Sequence, residues 1–456
     1  MASSPSSLPP WAKRREDPNP PDGWQEMPLV AASDIRFSNV DKKSYVSEKP
    51  VRLCNYMDVY NKEYVRGNED FMQATASEGE IARFAVQSGD VIITKDSETP
   101  DDIGVPAVVL DAPDDLLCGY HLALIRPRSD QVDPVFLAKQ VAHHRISRYY
   151  ARLANGLTRY GLTNTVVENT PIWLPEPPEQ HRVAGILRGI DEAISKTEAL
   201  IAKLKAIKQG LLYDILTRGL DDNGELREPE KHPEQFRKTT LGRFPVAWDV
   251  TTINDLAAHV GSGITPTGGS NVYKHEGVLF IRSQNVTFDG LLLNDVAYID
   301  ERTHRMMARS EIFAHDVLLN ITGASIGRCC AMPEGLGLAN VNQHVCAIRI
   351  AEPRREDAVF LSAILGSYIG QNQIDRLNAG SNRQGLNYRQ LRSFFVPWPK
   401  DSNERTALAA RIKSAESRIQ AEQGYLSKLK CIKKGLMRDL LTGRVRVNAE
   451  AWAKEK

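Results

Sequence analysis

The 456-residue chain carries 58 Lys and Arg against 57 Asp and Glu, so its net charge of +1 neither demands nor excludes a nucleic-acid partner. Its cysteines (Cys54, Cys118, Cys329, Cys330, Cys346, Cys431) form no CxxC and no Cys/His cluster, which argues against structural zinc and fits a reducing cytoplasm. No run approaches the roughly 18 apolar residues of a membrane span, so no membrane partner is expected.

Residues 1–21 are rich in Pro and Ser, lack an apolar signal core, and read as a disordered tail. Asn19-Pro20-Pro21-Asp22 is similar to the NPP motif of amino-methyltransferases but lacks the aromatic residue that should follow. A first α+β domain is expected over 22–177, with strands at 91–94, 105–110 and 121–126 and a helix over 134–153.

From 134 to 167 there are five basic residues (Lys139, Arg145, Arg148, Arg152, Arg159), two histidines and no acid. Arg145, Arg148 and Arg152 have helical spacing with Tyr149 and Tyr150 interleaved, the footprint of a phosphate-contacting face. A merely solvated helix face has the same composition. The loop Asn155-Gly156-Leu157-Thr158-Arg159-Tyr160-Gly161 follows, with glycines that allow entry into a groove and side chains suited to base edges. His121 and His344 fall at strand-like positions with no nucleophile or carboxylate at a diagnostic spacing, and read as core residues.

A long helix is expected over 178–217. Its apolar seam (Leu187, Ile190, Ile194, Ile201, Leu204, Leu211) advances in steps of three and four, interrupted by Thr197 and Lys208. A charged, turn-rich surface linker is expected over 218–245, then a second domain over 246–399 with strands at 278–282, 317–322 and 344–350 and a helix at 358–377. Its Gly261–Gly269 segment is glycine-rich but lacks the GK[ST] ending of a P-loop. A second long helix over 400–446 repeats the seam through Ile412, Ile419, Leu426, Leu429 and Leu436, interrupted at Glu422 and Lys433, before a tail at 447–456. About 34 helical residues would span roughly 50 Å.

The halves are a tandem duplication. Residues 204–217 (LKAIKQGLLYDILT) return as 429–442 (LKCIKKGLMRDLLT) at a shift of 225. Gly89–Thr94, Tyr120–Arg126 and Gly156–Leu162 have echoes at 315–320, 343–349 and 380–386. The period is far longer than a solenoid repeat, so each copy is domain-sized. Two helices separated by a whole domain most simply pair antiparallel, with the domains at opposite ends of a rod. Gly210 and Gly435 recur inside good helix, which suggests close approach of the sister helix or of another subunit, with fraying of the last turn as the alternative.

The repeat also sorts the candidate DNA contacts: Arg145, Arg148, Arg152, Arg159, Tyr160 and Thr163 in the first copy, and Arg376, Asn382, Arg383, Gln384 and Asn387 in the second. Arg152/Arg376 and Arg159/Arg383 are shared, which suits phosphate positioning. Tyr160/Gln384 and Thr163/Asn387 differ, which suits the reading of different bases. No catalytic or metal constellation is present in the sequence pattern.

Together these features resemble the specificity subunit of type I restriction-modification systems. Thr240–Trp248 resembles that family's entry into a target recognition domain, and Gly261–Gly269 its Gly/Thr/Pro loop. Gly380–Leu386 through Val396-Pro397-Trp398-Pro399 resembles the domain's exit. Pro178-Glu179-Gln180 and Leu441-Thr442-Gly443-Arg444-Val445 resemble the start and end of its helices. By these motifs the second half matches more cleanly than the first.

The resemblance implies an α+β fold of two similar target recognition domains separated by two long helices packed as an antiparallel coiled coil with pseudo-two-fold symmetry. Each domain would read one half of a bipartite double-stranded DNA site, the helices acting as a ruler. The chain itself would be non-catalytic and cytoplasmic. It would dock two modification (methyltransferase) subunits and restriction (motor/nuclease) subunits, which bring S-adenosylmethionine, ATP and Mg. The segment 404–446, with 11 basic and 4 acidic residues, suits a charged docking surface. Two other classes stay open at this stage: a coiled-coil scaffold with no DNA role, and an enzyme with its own DNA chemistry.

Overall fold

The computed structural model describes residues 19–128, 131–266, 268–378 and 385–447. The chain divides into two compact units, one of 1–197 with 425–456 and the other of 198–424.

In the first unit, short, largely apolar runs build β1 (Ser33–Phe37), β2 (Tyr64–Val65), β3 (Val91–Thr94), β4 (Pro106–Val109) and β5 (Leu122–Pro127) into one sheet of order β1-β5-β3-β4-β2. A second sheet places Lys49–Cys54 between Met72–Ala76 (antiparallel) and Leu116–Cys118 (parallel). The entry strand Gln25–Pro28 pairs antiparallel with the exit strand Pro171–Leu174. Two helices, α1 (Pro134–Ala142) and α2 (His144–Leu153), pack Phe136, Leu137, Ile146 and Tyr150 into the core. The single helix expected over 134–153 is therefore broken, because His143 is extended (φ −71°, ψ 142°).

The long helix α3 (Pro177–Arg218) begins in this unit and ends in the other. In the second unit, β6 (Ala257–Ser262), β7 (Val317–Asn320), β8 (Cys329–Ala331) and β9 (Val345–Ile350) pair in the order β6-β9-β7-β8. This is the order β1-β5-β3-β4 again, antiparallel throughout in both copies. The companion sheet also repeats, with Val278–Ile281 between Ala297–Ile299 (antiparallel) and Ala339–Val341 (parallel). Here too the expected helix is two, α4 (Arg355–Gly366) and α5 (Tyr368–Asn378), divided at the extended Ser367. The segment read as a surface linker carries a hairpin, Phe236–Thr239 with Gly242–Pro245, because Phe236 and Phe244 both turn inward.

The second long helix, α6 (Ser402–Leu440), begins in the second unit and ends in the first. Inside each unit the two helices run antiparallel. In the first unit, Glu179 at the start of α3 holds Arg446 beyond the end of α6 at 2.7 Å, and Asp191 meets Lys433 at 2.7 Å. In the second, Glu404 at the start of α6 holds Arg227 beyond the end of α3 at 2.6 Å, and Lys208 meets Glu416 at 3.0 Å. Leu187, Ile201, Leu204, Ile412, Ile419 and Leu429 are buried, and Ile190, Ile194, Leu211, Leu426 and Leu436 are half-buried, so the seam faces inward along both helices.

A buried bidentate ion pair recurs at the heart of both main sheets. Arg126 on β5 grips Asp90 at 2.7 and 2.8 Å, and Arg349 on β9 grips Asp316 at 2.8 and 2.7 Å. Each carboxylate also accepts a backbone N–H from the turn before it, that of Gln87 or Phe313. The ion pair thus locks the turn preceding β3 or β7 to the neighbouring strand.

Candidate nucleic-acid interface

In the first unit the loop 155–161 closes on itself through Asn155 N–H to Gly161 O (3.0 Å) and Gly161 N–H to Asn155 O (2.8 Å). Gly156 sits at φ +149°, where a Cβ would lie 1.9 Å from the Arg159 carbonyl, so only glycine fits. The loop projects Leu157, which is 95% exposed. Tyr160-Gly161 then pairs with Asp96-Ser97, just past β3. Asp96 accepts a hydrogen bond from Arg159 at 3.1 Å and pairs with His121.

His121 is not a core residue. It occupies a left-handed turn (φ 68°) immediately before β5, against the ring of Tyr120. Burial pushes its imidazole below the ordinary value; Asp96 opposes this, and Arg159 and Lys42 add to it. A neutral imidazole at neutral pH offers one donor and one acceptor. The surface therefore combines a loop arginine and a neutral histidine, both anchored by Asp96, with the aromatic residues Tyr120 and Tyr160 beside them.

The second unit builds the corresponding surface from different residues. Thr322 bridges Gly385, as the strand past β3 bridges Gly161. Gln343 Nε2–H donates to His344 Nε2 at 3.0 Å, which leaves His344 Nδ1–H to donate to Thr322 Oγ1 at 2.5 Å. Thr265 donates to the Gln343 side-chain carbonyl, and Ser262 N–H donates to the Tyr388 hydroxyl at 3.0 Å. The Gly/Thr/Pro loop lies against this site because Gly263 packs on backbone, where a Cβ would lie 1.6 Å from Val341 O. Gly263→Ala is expected to push the loop off, at about 1–3 kcal/mol of stability. A denaturant melt of the full chain together with a DNA-binding assay would check it; unchanged stability would show that the loop yields freely.

The structure redistributes the candidate contacts. Arg145 lies over the Trp173 ring (3.9 Å) and donates to Pro171 O at 2.7 Å and Gln140 Oε1 at 3.2 Å, so it braces the exit strand. Tyr149 and Tyr150 are buried rather than interleaved on a basic face, and Lys139 is buried against Asp191. The stripe Arg145, Arg148 and Arg152 lies wholly within α2, and it does not form a free basic face because Arg145 turns onto Trp173 and the exit strand. Thr163 caps the helix Asn164–Glu168, and Asn387 caps Tyr388–Arg392. Their side-chain oxygens serve helix termini, which explains the Thr/Asn difference without a base.

Arg148 and Arg376 are exposed, and Arg152 is half-buried over Tyr149. Asn382, Arg383 and Gln384 lie outside the described residues. Asp96, His121, Thr322, Gln343 and His344 were not among the candidates, although the 120–126/343–349 echo marked both histidines. Among the described residues no group of three or more His, Cys, Asp or Glu could hold a metal ion, and no helix is long and apolar enough to cross a membrane.

Two α+β domains of one design, whose corresponding surface loops differ in side chain, define a duplicated recognition protein. Residues 23–206 match the family model of the type I restriction modification DNA specificity domain. The putative type I restriction enzyme MjaX specificity subunit of Methanocaldococcus jannaschii is 25% identical over 376 residues, 81% of each chain. The MjaVIII specificity subunit of the same organism is 23% identical over 287 residues, 62% of this chain and 64% of that one. The S subunit of a type I restriction-modification system from M. genitalium shares the fold, with a TM-score of 0.58 at 14% identity over 92% of this chain and 97% of that one.

Residues 23–206 thus carry the pattern of a type I restriction modification DNA specificity domain, and over 81% of its length the chain is similar to a type I restriction enzyme specificity subunit. The family model matches the first half, whereas the short motifs favoured the second.

Proposed function

We propose that each domain reads one half of a bipartite, asymmetric double-stranded DNA site and that the paired helices set the spacing between the halves. The observation that carries this reading is the corresponding constellation in the two domains. Asp96 and Tyr120 in one are replaced by Thr322 and Gln343 in the other, beside a histidine common to both (His121, His344), on the same framework of strands. A shared framework with altered side chains is what two readers of different sequences require. Two modification subunits and restriction (motor/nuclease) subunits complete the complex, and S-adenosylmethionine, ATP and Mg reside on them. Adenine methylation is the expected readout.

Arg159→Ala tests the interface directly. In the assembled complex it is expected to weaken DNA binding and to reduce the slope of log affinity against log salt by about one, the signature of one lost phosphate contact. His121→Ala is expected instead to relax base preference at one half-site, read from maps of methylated adenines. If the first change left both affinity and salt slope untouched, the loop would not touch DNA.

A further inference from the structure

Both units contain a junction between the long helices and the recognition domain, and each fills it differently. In the second unit a cavity of about 800 Å³ opens between α3, α6, α4 and β8, within the range of about 300–1,000 Å³ typical of small-molecule sites. In the first unit the corresponding space holds about 350 Å³. Matching positions line the two: Lys208 and Lys433, Leu212 and Met437, Ala363 and Lys139.

The differences between the copies at this place all point the same way. Ala363 stands where Lys139 reaches across to Asp191 and Glu63, so the second unit lacks the side chain that plugs the first. Arg355 stands where the first copy has Gln131, which adds a cation to the lining. Lys413 stands where Arg188 pairs with Glu192 at 3.2 Å, and Ser417 takes the place of that glutamate. The second copy thus has more space, one more cation and one fewer counter-ion.

The carboxylates of the cavity already have partners: Glu416 has Lys208 at 3.0 Å, Asp289 has Lys205 at 3.0 Å, and Glu334 has His315 at 3.1 Å. Arg355 and Lys413 make no hydrogen bond and no ion pair within 4.0 Å among the described residues. Burial, with the Arg355 guanidinium nearby, holds the Lys413 ammonium below the ordinary lysine value, against the carboxylates of Glu416, Glu356 and Glu334. Two like charges on one cavity wall are relieved by an anion placed between them. Beside them the lining is apolar, with Phe288 45% exposed and Leu293 38% exposed. Phe288 lies over Gly366, where a Cβ would stand 3.3 Å from the ring; the first copy has Ala142 there.

We infer that this cavity binds a small aromatic anion, its ring against Phe288 and its carboxylate, phosphate or sulfonate between Arg355 and Lys413. The site shares no residue with the surface built around Thr322 and His344. Arg355 lies on α4 and Lys413 on α6, so an occupant ties the recognition domain to the long helix and stabilises the folded chain by mass action.

The test is a fluorescence titration of the full chain with the aromatic anion 8-anilinonaphthalene-1-sulfonate, alongside thermal melts. One molecule per chain is expected, with a Kd below about 1 mM and a raised thermal midpoint. Adenosine 5′-monophosphate or benzoate should displace it, and whichever competes better identifies the natural anion as phosphate or carboxylate; uncharged adenosine and benzyl alcohol should not displace it. Ala363→Lys restores the residue of the first copy, whose fold accommodates it, and should weaken the probe at least tenfold without lowering the midpoint of the free chain. Lys413→Gln should weaken it about as much and Lys413→Arg should restore it, which keeps the test decisive if Ala363→Lys folds poorly.

No saturable binding, or binding indifferent to both Ala363→Lys and Lys413→Gln, would overturn the site. Two equal sites per chain would overturn it as well, since the first unit lacks the space and both free cations. Displacement of the probe by duplex DNA alone, with DNA affinity lowered by Lys413→Gln, would assign the two cations to the DNA backbone and overturn the proposal.

Discussion

Asp316→Ala is expected to destabilise the second unit by about 3–5 kcal/mol, because it leaves the Arg349 guanidinium without its carboxylate in a largely desolvated position. The Asp316 side chain is 1% exposed and that of Arg349 is 26% exposed, so water can replace little of the lost interaction. The aspartate also receives the Phe313 N–H at 2.9 Å, and its loss strands a backbone donor at the turn that begins β7. Asp90→Ala should cost a similar amount in the first unit, where the side chain is again 1% exposed and accepts two hydrogen bonds from Arg126 and one from the Gln87 N–H. Urea melts of the full chain provide the check. Replacing both partners, Asp316→Ala with Arg349→Met, should recover part of the loss, since no charge is then left unpaired. A single-variant cost below about 1 kcal/mol would show that the pair behaves like an exposed one.

Much of the architecture was legible because duplication is a property of order, not of contact. The strands read at 91–94, 121–126, 317–322 and 344–350 appear within a residue or two, since each is a continuous apolar run that both faces of the sheet bury. The helix seam was legible for the same reason, apolar side chains at a fixed period. What escaped depends on backbone states that side-chain identity does not signal. His143 and Ser367 break their helices in the extended region, though neither is proline or glycine. His121 reads as a strand residue because its neighbours do, yet it adopts φ 68°, and that turn aims the ring at Asp96. Thr163 and Asn387 look like base readers by side-chain chemistry. Only the short helices that follow them reveal two N-caps. The structure thus brings Arg159 and Tyr160 to the surface beside Asp96 and Ser97, and gives Arg145, Thr163 and Asn387 structural contacts instead.

Asp191→Ala is expected to cost about 3–5 kcal/mol as well, and to remove a component of acid sensitivity. Asp191 on α3 meets Lys433 of α6 at 2.7 Å, Lys139 of α1 at 2.5 Å and the Tyr64 hydroxyl at 2.7 Å, so one carboxylate joins both long helices to the recognition domain. Glu63 also pairs with both lysines. The twin junction in the second unit, Lys208 with Glu416 at 3.0 Å and Asp289 at 4.0 Å, uses corresponding positions. It is wetter, because the Glu416 side chain is 30% exposed against 7% for Asp191. Ala363 stands where Lys139 stands in the first copy, and the second lysine, Lys205, pairs instead with Asp289 at 3.0 Å. Glu416→Ala should therefore cost only about 1 kcal/mol, near the upper end for exposed pairs. The pH dependence separates the two further. Burial alone would raise the Asp191 carboxyl, but the ammonium of Lys139, with hydrogen bonds from Lys139, Lys433 and Tyr64, holds it below the ordinary aspartate value. A group depressed on folding contributes stability that is present above its unfolded value and lost as pH falls through its folded one. The wild-type chain should thus lose stability on acidification below about pH 4, the unfolded aspartate range, faster than Asp191→Ala does. Lys433 is shifted the other way: burial alone would lower it, but Glu63 and Asp191 hold its ammonium above the ordinary lysine value. Its contribution is complete below the unfolded lysine value and fades only as pH rises through the raised one. Melts of wild type, Asp191→Ala and Glu416→Ala across acid pH decide the matter. Equal costs and parallel pH curves would mean that the two junctions are energetically alike despite their different burial.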